Sequence, residues 1–308
     1  MPILSDLTTS SPRAIIRSGP FAASLVRSFR PKQWLKNLLV FAAPGAAGVL
    51  TQRSMWVHSA LAFAAFSLIS SCLYLVNDVV DAPFDRLHPV KRNRPVAAGA
   101  VSARSALIAA VALLVAGEIL GAQLAPAFLI VLNTYVLIAI AYSLLLKRAL
   151  VVDIVAVAAG FVLRAIAGGA ATGVPNSKWF LLLVSFGALF VVAGKRYANL
   201  DVLQPGLPTS RHPPHYSGAF LRRLALVASG ATVAAYILWI FSPHARDYGI
   251  LIPLSVLPFA LAIGRYAFLV RIKRGGAPED LFTRDRVLRL AVLLWLIVYG
   301  CGIYVAAG

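Results

Sequence analysis

The sequence predicts an all-α polytopic membrane protein. Three observations lead to this fold class: the composition, a series of long apolar stretches, and the placement of the basic residues. Of the 308 residues, 60% are hydrophobic and only 13% are charged, whereas soluble domains have about 25% charged residues. Helices this apolar would present no polar face to water. The composition therefore excludes a soluble globular protein.

Nine apolar stretches approach the roughly 20 residues that an α-helix needs to cross a bilayer. They cover residues 34–51, 56–76, 104–122, 125–145, 150–173, 178–194, 219–242, 249–270 and 287–306. Residues 1–33 are interrupted by prolines and arginines, so we expect a cytoplasmic or interfacial segment there. A single transmembrane domain over residues 34–306 follows it.

The orientation follows from the Lys and Arg residues, which are retained on the cytoplasmic side of a membrane. With a cytoplasmic N-terminus, 24 of the 29 basic residues fall in cytoplasmic segments and two, Arg164 and Arg265, fall within spans. Only Arg53, Lys178 and Arg246 fall on the opposite side of the membrane. The asymmetry indicates a multi-pass protein of the plasma (inner) membrane. It also accounts for the net charge of +18, so we expect membrane lipid and no nucleic acid as a partner.

A group of acidic residues ends the second span. Clustered carboxylates repel one another unless a cation lies between them, and oxygen ligands with room for water and phosphate suit Mg²⁺. Pro83 should kink or end the helix just before it, which leaves Asp78 and Asp81 as the secure pair. A solvated helix end is the alternative. The predicted magnesium ligands are Asn77, Asp78, Asp81 and Asp85.

Basic and tyrosine side chains lie at the cytoplasmic ends of several spans. Arg offers a bidentate fork to phosphate and Lys a point charge, so these groups are candidate phosphate ligands. Each of these side chains also has an alternative interpretation, as a topology determinant, a snorkelling side chain or a helix cap. With Asn77, the predicted substrate-binding residues at these ends are Lys32, Lys36, Lys91, Arg92, Arg94, Tyr142, Lys147, Lys195, Arg196, Tyr197 and Arg284.

Asp153 and Arg164 lie in the fifth predicted span, about three turns apart and on one face. A charge this deep costs a few kcal/mol on insertion and usually faces the bundle interior or a wet cavity. We therefore expect Arg164 to line or support a substrate cavity. A structural ion pair between the two residues is the alternative.

The spacing Asn77-Asp78-x-x-Asp81-x-x-x-Asp85, followed by Lys91-x-x-Arg94-Pro95, resembles the UbiA-type membrane prenyltransferase superfamily. The resemblance implies nine transmembrane helices around a central cavity that opens to the cytoplasm. It also implies that this first aspartate-rich motif holds Mg²⁺ and the diphosphate of a donor. On that basis Asp78, Asp81 and Asp85 are the expected catalytic carboxylates.

The chain departs from the superfamily at the end of the sixth span, where ordinary members carry a second aspartate-rich motif. Here the sequence has Lys195, Arg196 and Tyr197. One carboxylate set with several cations suits one metal-bound diphosphate and one further phosphate. 5-Phosphoribosyl 1-diphosphate carries both groups. With segments 30–37 and 177–181, this departure resembles the branch that transfers phosphoribose to decaprenyl phosphate for cell-wall arabinan.

The resemblance thus implies a Mg²⁺-dependent phosphoribosyltransferase whose acceptor is a polyprenyl phosphate. Asp153 is a fourth expected catalytic carboxylate, which would bind a ribose hydroxyl or a second metal. A prenyltransferase acting on an aromatic or porphyrin acceptor is the first alternative, but it should carry the second acidic motif. A transporter of phosphorylated anions is the other, and it often shows internal repeats, of which we find none convincing. The sequence leaves open whether the protein forms a homo-oligomer.

Overall fold

The structure is a computed structural model. It describes residues 20–144, 150–200, 216–242, 249–276, 281 and 284–306, and these residues contain helices, turns and connecting segments but no strand. Within these parts of the chain, eight helices are long and apolar enough to cross a membrane. The protein is therefore an all-α, multi-pass membrane protein.

Eleven α-helices follow one another along the described residues. They are α1 Phe21–Ser28, α2 Ala42–Ala46, α3 Arg53–Asp85, α4 Ala103–Gly121, α5 Pro126–Leu144, α6 Leu150–Thr172, α7 Lys178–Ala198, α8 Gly218–Ile240, α9 Leu251–Leu254, α10 Val256–Arg271 and α11 Arg286–Ala306. Three 3₁₀ helices cover Pro31–Phe41, Val49–Thr51 and Lys91–Asn93. Eight predicted spans correspond to α3 to α8, to α9 with α10, and to α11.

The first predicted span, 34–51, is not one long α-helix. It is a 3₁₀ helix over Pro31–Phe41 that continues into the short helix α2. The helical path then ends at Gly48, whose φ of 71° is left-handed. Glycine adopts that conformation without a steric penalty, which explains the turn. The count of nine spans accordingly stays a prediction beyond the eight helices of the described residues.

Small residues let the 3₁₀ helix lie directly against α6. A Cβ added to Gly168 of α6 would lie 2.0 Å from the carbonyl oxygen of Val40. The two backbones are therefore in contact, an arrangement typical of small residues between membrane helices. The contact fixes the position of the 3₁₀ helix, which carries Lys32 and Lys36, relative to the bundle.

Aromatic and aliphatic side chains fill the interior between α3, α5 and α6. Phe66 and Phe128 are fully buried there, with an edge-to-face contact at a centroid distance of 5.9 Å. In contrast, α4 and α5 expose large apolar residues such as Ile108 and Ile130. Lipid tails solvate such side chains as well as protein does, so these exposed faces of α4 and α5 are lipid-facing.

Long helices that are neighbours in sequence pack together, and hydrogen bonds join the segment after α3 to the segment before α4 (Arg86 to Ala97) and the end of α7 to the start of α6 (Arg196 to Asp153). The C-terminal ends of α3, α5 and α7 consequently lie at the same end of the bundle as the N-terminal ends of α4, α6 and α8. We call this end, which contains Asp85 and Asp153, the carboxylate end. A mostly apolar cavity of about 190 Å³ lies at the opposite end, between Phe180, Trp239 and Tyr299.

Candidate active site

Helix α3 carries the acidic motif to its last residue, Asp85. Of the two outcomes expected for Pro83, a kink or a helix end near Ala82, the helix end is wrong, because the amide of Arg86 still donates to the carbonyl of Ala82 at 3.1 Å. Pro83 lies within the last turn, where the helix loses only one backbone hydrogen bond to it. Asp78 and Asp85 are therefore on one continuous helix, two turns apart.

Arg94 joins the two carboxylates. Its Nη1 lies 2.6 Å from Asp85 Oδ2 and 3.3 Å from Asp78 Oδ1. Asp78 is 2% exposed and Asp85 is 3% exposed, so both charges are compensated by a neighbouring guanidinium rather than by water. Arg94 thus brings Asp85 together with Asp78, whereas the sequence spacing predicted Asp81 as the carboxylate paired with Asp78.

Hydrogen bonds between side chains and backbone groups hold the loop that carries Arg94. His88 Nδ1 accepts hydrogen bonds from the amides of Val90 and Lys91 at 3.1 and 3.2 Å. Arg86 Nε donates to the carbonyl of Ala97 at 3.2 Å. Burial, and then the charge of Lys91, lowers the pKa of His88 below its ordinary value. The neutral imidazole is the form that accepts both amides, so it fixes the start of the loop.

Arg30 contacts the same carboxylate from another part of the chain. Its Nη2 is in contact with Asp78 Oδ1, and its guanidinium lies 4.9 Å above the centre of the Tyr74 ring. The backbone of Arg30 is left-handed, with φ 56° and ψ 58°, and it turns the chain between α1 and the 3₁₀ helix. Sequence reasoning did not select Arg30 as a site residue, although it opens the motif that contains Lys32 and Lys36.

Ser71 of α3 fixes the segment on both sides of Arg30. Its hydroxyl shares one proton between the carbonyl of Phe29 at 3.1 Å and that of Ser67 at 2.7 Å, and it accepts from Trp34 Nε1 at 3.0 Å. The indole is thus bonded to protein and is more than an interfacial anchor. Because Phe29 and Trp34 flank Arg30, these two bonds hold its backbone beside Asp78.

The acidic end of α3 has the donor chemistry that a magnesium ion requires. Asn77 and Asp81 are half-buried on the same last turns as the two buried carboxylates. In the parts of the chain that the structure describes, no three Asp, Glu, His or Cys side chains converge as a complete metal site. Magnesium is usually held by only one or two carboxylates together with water and substrate phosphates. The oxygen donors at this helix end therefore fit Mg²⁺.

A second cluster surrounds Asp153, at the start of α6. Arg196 Nη2 lies 2.8 Å from Asp153 Oδ1 and 2.7 Å from Oδ2, and the hydroxyl of Tyr216 donates to Oδ2 at 2.7 Å. Asp153 is 1% exposed. Tyr142 also lies within hydrogen-bonding range of Asp153 and Arg196. Both oxygens of Asp153 are thus engaged by protein groups.

Helix polarity favours this pairing. Asp153 lies in the first turn of α6 and Arg196 in the last turn of α7, where the helix dipoles stabilise an acid and a base respectively. The guanidinium of Arg196 lies 5.5 Å from the ring centre of Tyr216. Burial, and then the hydrogen bond to Asp153, raises the pKa of Tyr216, which keeps its hydroxyl a proton donor. Tyr216 is a further site residue that the sequence did not indicate.

One nitrogen of this cluster is unsatisfied within the described residues: Arg196 Nε is buried and has no hydrogen-bond partner. A guanidinium offers five donors, and Asp153 engages only Nη2 here. The side chain of Arg196 remains 25% exposed. Arg196 therefore keeps donors for an anion while the ion pair to Asp153 fixes its orientation.

Arg164 does not pair with Asp153. It is 5% exposed and donates from Nε to Asn37 Oδ1 at 2.7 Å and from Nη2 to the Tyr135 hydroxyl at 2.9 Å. Among the residues described, no carboxylate lies within ion-pair distance of it. Asn37 also donates to Ser67 Oγ at 3.1 Å. Arg164 thus anchors the 3₁₀ helix to α3, α5 and α6.

The remaining candidates lie around these clusters or outside the described residues. Lys195 and Tyr197 are half-buried on the last turn of α7. Lys36, on the 3₁₀ helix, and Lys91, on the loop after α3, are also half-buried, whereas Lys32 and Arg92 are exposed. Arg284 is exposed and precedes Asp285, which accepts two bonds from Arg265 at 3.2 and 2.8 Å. Lys147 falls outside the described residues.

Known proteins of the same fold and sequence identify the family. The profile of the UbiA prenyltransferase family matches residues 38–304. The decaprenyl-phosphate phosphoribosyltransferase of Mycobacterium tuberculosis is 41% identical over 303 residues, covering 97% of this chain and 98% of the relative. The protein of the same name from Corynebacterium glutamicum is 39% identical over 292 residues, covering 92% of this chain and 88% of the relative.

Solved structures agree on the fold. A UbiA homolog from Archaeoglobus fulgidus bound to GPP and Mg²⁺ has a TM-score of 0.71 at 18% identity, covering 92% of this chain and 99% of that chain. A structure of digeranylgeranylglyceryl phosphate synthase has a TM-score of 0.63 at 17% identity, with the same coverage of 92% and 99%. The chain therefore belongs to the UbiA prenyltransferase family.

Proposed function

We propose that this protein transfers the 5-phosphoribosyl group from 5-phosphoribosyl 1-diphosphate to decaprenyl phosphate and releases diphosphate. The product would supply the arabinan of a bacterial cell wall. Support comes from two relatives at about 40% identity over nearly their full length, both named decaprenyl-phosphate phosphoribosyltransferase. The competing reaction, prenyl transfer to an aromatic or porphyrin acceptor, has no comparable support from these relatives.

The observation that carries the proposal is the pairing of Arg196 with Asp153. In this chain a cation occupies the end of α7, and a buried carboxylate holds it in place. The end of α3, in contrast, presents carboxylates. The site therefore has one acidic half, suited to a metal-bound diphosphate, and one basic half, suited to a phosphate without metal. A donor with both groups fits this division better than a prenyl diphosphate does.

Asn77, Asp78, Asp81 and Asp85 are the proposed ligands of Mg²⁺. When bound there, the ion would neutralise the leaving diphosphate and so lower the barrier to cleavage at C1 of the ribose. Arg94 and Lys91, on the loop after α3, lie close enough to the acidic motif to contact the same diphosphate. Arg92, exposed beside them, would attract the donor to the site.

The basic half would bind the 5-phosphate. Arg196 would present its remaining N–H groups, with Lys195 adding a point charge. Asp153, Tyr216 and Tyr142 orient Arg196, and the Asp153 carboxylate would lie next to the ribose hydroxyls. Lys32 and Lys36, on the 3₁₀ helix, are the proposed contacts for the phosphate of the lipid acceptor.

Attack at C1 requires no strong general base. The nucleophile is an oxygen of the decaprenyl phosphate, which is already an anion. As the C1–O bond to diphosphate breaks, positive charge develops on the ribose ring, and the lipid phosphate would attack from the opposite face. Inversion at C1 and a β-linked product follow from that geometry.

The location of the reaction follows from the solubility of the substrates. The donor is water-soluble and the acceptor resides in the bilayer, so the carboxylate end would face the cytoplasm from the plasma membrane. This orientation agrees with the excess of Lys and Arg in the segments at that end. Residues 34–306 would form the catalytic domain.

The test is to incubate the purified protein with Mg²⁺, decaprenyl phosphate and 5-phosphoribosyl 1-diphosphate labelled in the ribose. We expect label in the organic phase, with one diphosphate released per lipid product. Activity on a prenyl diphosphate with an aromatic acceptor, and none on the phosphoribosyl donor, would contradict the proposal. Uptake of the labelled sugar into proteoliposomes without a lipid product would instead indicate transport.

A further inference from the structure

The carboxylate of Asp78 is compensated by two arginines from different parts of the chain. Arg30 Nη2 contacts Asp78 Oδ1, and Arg94 Nη1 lies 3.3 Å from the same oxygen. Asp78 is 2% exposed, so its charge would be costly without a nearby cation. In this arrangement, guanidinium groups supply that positive charge.

Asp78 is also a proposed metal ligand, and its Oδ1 already accepts contacts from both guanidinium groups. An oxygen with two lone pairs cannot accept a divalent ion and keep both contacts, and the charge of the ion repels the guanidinium groups. A metal ion that binds Oδ1 therefore displaces one of the two arginines.

Arg94 would keep a carboxylate partner after such a move, whereas Arg30 would lose the one that it contacts among the described residues. Arg94 keeps Asp85, to which its 2.6 Å contact is shorter than its 3.3 Å contact to Asp78. For Arg30, Asp78 is the only carboxylate within ion-pair distance in the described part of the chain. Its backbone would remain in place, because Ser71 holds Phe29 and Trp34 on either side.

We propose that Arg30 is an exchangeable counter-cation of Asp78. It balances the carboxylate in the metal-free protein, leaves the carboxylate when a divalent ion binds, and then contacts the diphosphate of the donor. Only this last step rests on the proposed function. Metal-free protein thus keeps a folded, charge-balanced site, and metal and donor each favour the same position of Arg30.

The direct test measures binding of Mn²⁺, as a paramagnetic substitute for Mg²⁺, without any donor. Arg30→Gln removes the competing cation, so we expect Mn²⁺ to bind about tenfold more tightly than to the wild type. In the presence of saturating metal, the same variant should bind 5-phosphoribosyl 1-diphosphate about tenfold more weakly. Arg30→Lys should lie between the two proteins in both measurements.

Arg27→Gln is the matched control. Arg27 lies in the last turn of α1, three residues before Arg30, and is exposed. It should leave both affinities unchanged. Opposite shifts for metal and donor cannot result from general damage to the site, which would weaken both. Unchanged or weaker Mn²⁺ binding by a folded Arg30→Gln protein would overturn the proposal.

A measurement on the unaltered protein covers the case in which Arg30→Gln does not fold. Phenylglyoxal modifies free guanidinium groups, and mass spectrometry of the peptide reports the rate at each arginine. We expect Mg²⁺ alone to accelerate modification of Arg30, and Mg²⁺ with donor to slow it, while Arg27 reacts at a constant rate. No acceleration by Mg²⁺ would overturn the proposal. Failure to form lipid-linked phosphoribose would refute the function but not the exchange.

Discussion

Asp153 and Arg196 form an ion pair that joins the first turn of α6 to the last turn of α7, with Asp153 1% exposed. Asp153→Asn keeps the shape of the side chain but removes the charge that orients Arg196. We expect the KM for the phosphoribosyl donor to rise about 10- to 100-fold, with a smaller change in kcat. Steady-state kinetics with varied donor would measure this.

Tyr216→Phe provides the comparison for that experiment. It removes one hydrogen bond to Asp153 and leaves the ion pair in place, so the donor KM should rise only about fivefold. Equal effects of the two variants would mean that the ion pair does not orient Arg196.

Loss of a carboxylate from the acidic motif should eliminate turnover. We expect Asp78→Ala and Asp81→Ala each to lower kcat by about 100-fold or more. Each variant removes a proposed ligand of the metal ion that neutralises the leaving diphosphate. Arg53→Ala, an exposed change at the far end of α3, should retain the wild-type rate. Rates near wild type in both aspartate variants would remove the metal from the mechanism. Chelation with EDTA should stop the reaction, and added Mg²⁺ should restore it.

We expect Asn37 to contribute to the stability of the folded protein and not to catalysis. Its Oδ1 accepts the bond from Arg164 Nε at 2.7 Å, and its Nδ2 reaches Ser67. Asn37→Ala leaves a buried charged donor without its acceptor, at a cost of about 2 kcal/mol. Thermal unfolding in detergent should show a clearly lower midpoint. Asn93→Ala, at an exposed position, should not change the midpoint.

Gly168 and Gly230 test the backbone contact between α6 and the 3₁₀ helix. Gly168→Ala would place a Cβ 2.0 Å from the carbonyl oxygen of Val40, whereas a Cβ at Gly230 of α8 would meet nothing within 4 Å. The first change should lower the unfolding midpoint and weaken acceptor binding. The second should be neutral or stabilise α8 by about 0.5–1 kcal/mol, since alanine favours a helix. Similar midpoints for both variants would contradict the close packing.

His88 should make donor binding dependent on pH. Its pKa is lowered from 6.5 in the folded protein, so the folded state binds fewer protons than the unfolded state as pH falls below 6.5. The stabilisation is complete above that pH and is lost as pH falls toward the folded pKa. Protonation at Nδ1 would also break the bonds from Val90 and Lys91. We expect the donor KM to rise below pH 6.5.

His88→Asn separates this effect from titration of the donor itself, whose phosphate has a second pKa near 6. The Asn carbonyl can accept the same amides and does not titrate. The ratio of wild-type to variant KM should therefore rise as pH falls from 8 to 5.5. A constant ratio would show that His88 is not responsible.

The sequence predicted the spans well because each is a continuous apolar stretch whose length and hydrophobicity depend on no other part of the chain. It placed Arg94 close to the acidic motif for a similar reason, since a helix end and a short loop bring them together, but it paired Asp78 with Asp81 rather than with Asp85. The prediction that the first span, residues 34–51, is one long helix was wrong. A change from 3₁₀ to α-helix after Phe41 and the left-handed Gly48 divide it, although its composition is apolar.

Contacts between distant segments could not be predicted from spacing. Asn37 and Arg164 are 127 residues apart, Asp153 and Tyr216 are 63 apart, and Arg30 and Asp78 are 48 apart. Each pair depends on how helices pack, and hydrophobic periodicity does not specify the choice of polar partner across such an interface. For this reason Asp153 and Arg164 shared a helix face in the sequence but bind different partners in the structure.

In the proposed site, the end of α3 presents carboxylates for a metal ion and the end of α7 presents cations for a phosphate, and this division sets the requirements for an inhibitor. A competitor of the donor needs one arm that binds through a divalent ion at the end of α3 and a second arm that is anionic by itself, to reach Arg196. A symmetric bisphosphonate satisfies only the first requirement. A molecule with a chelating group at one end and a simple phosphonate at the other would satisfy both, and should discriminate against relatives whose second half is acidic.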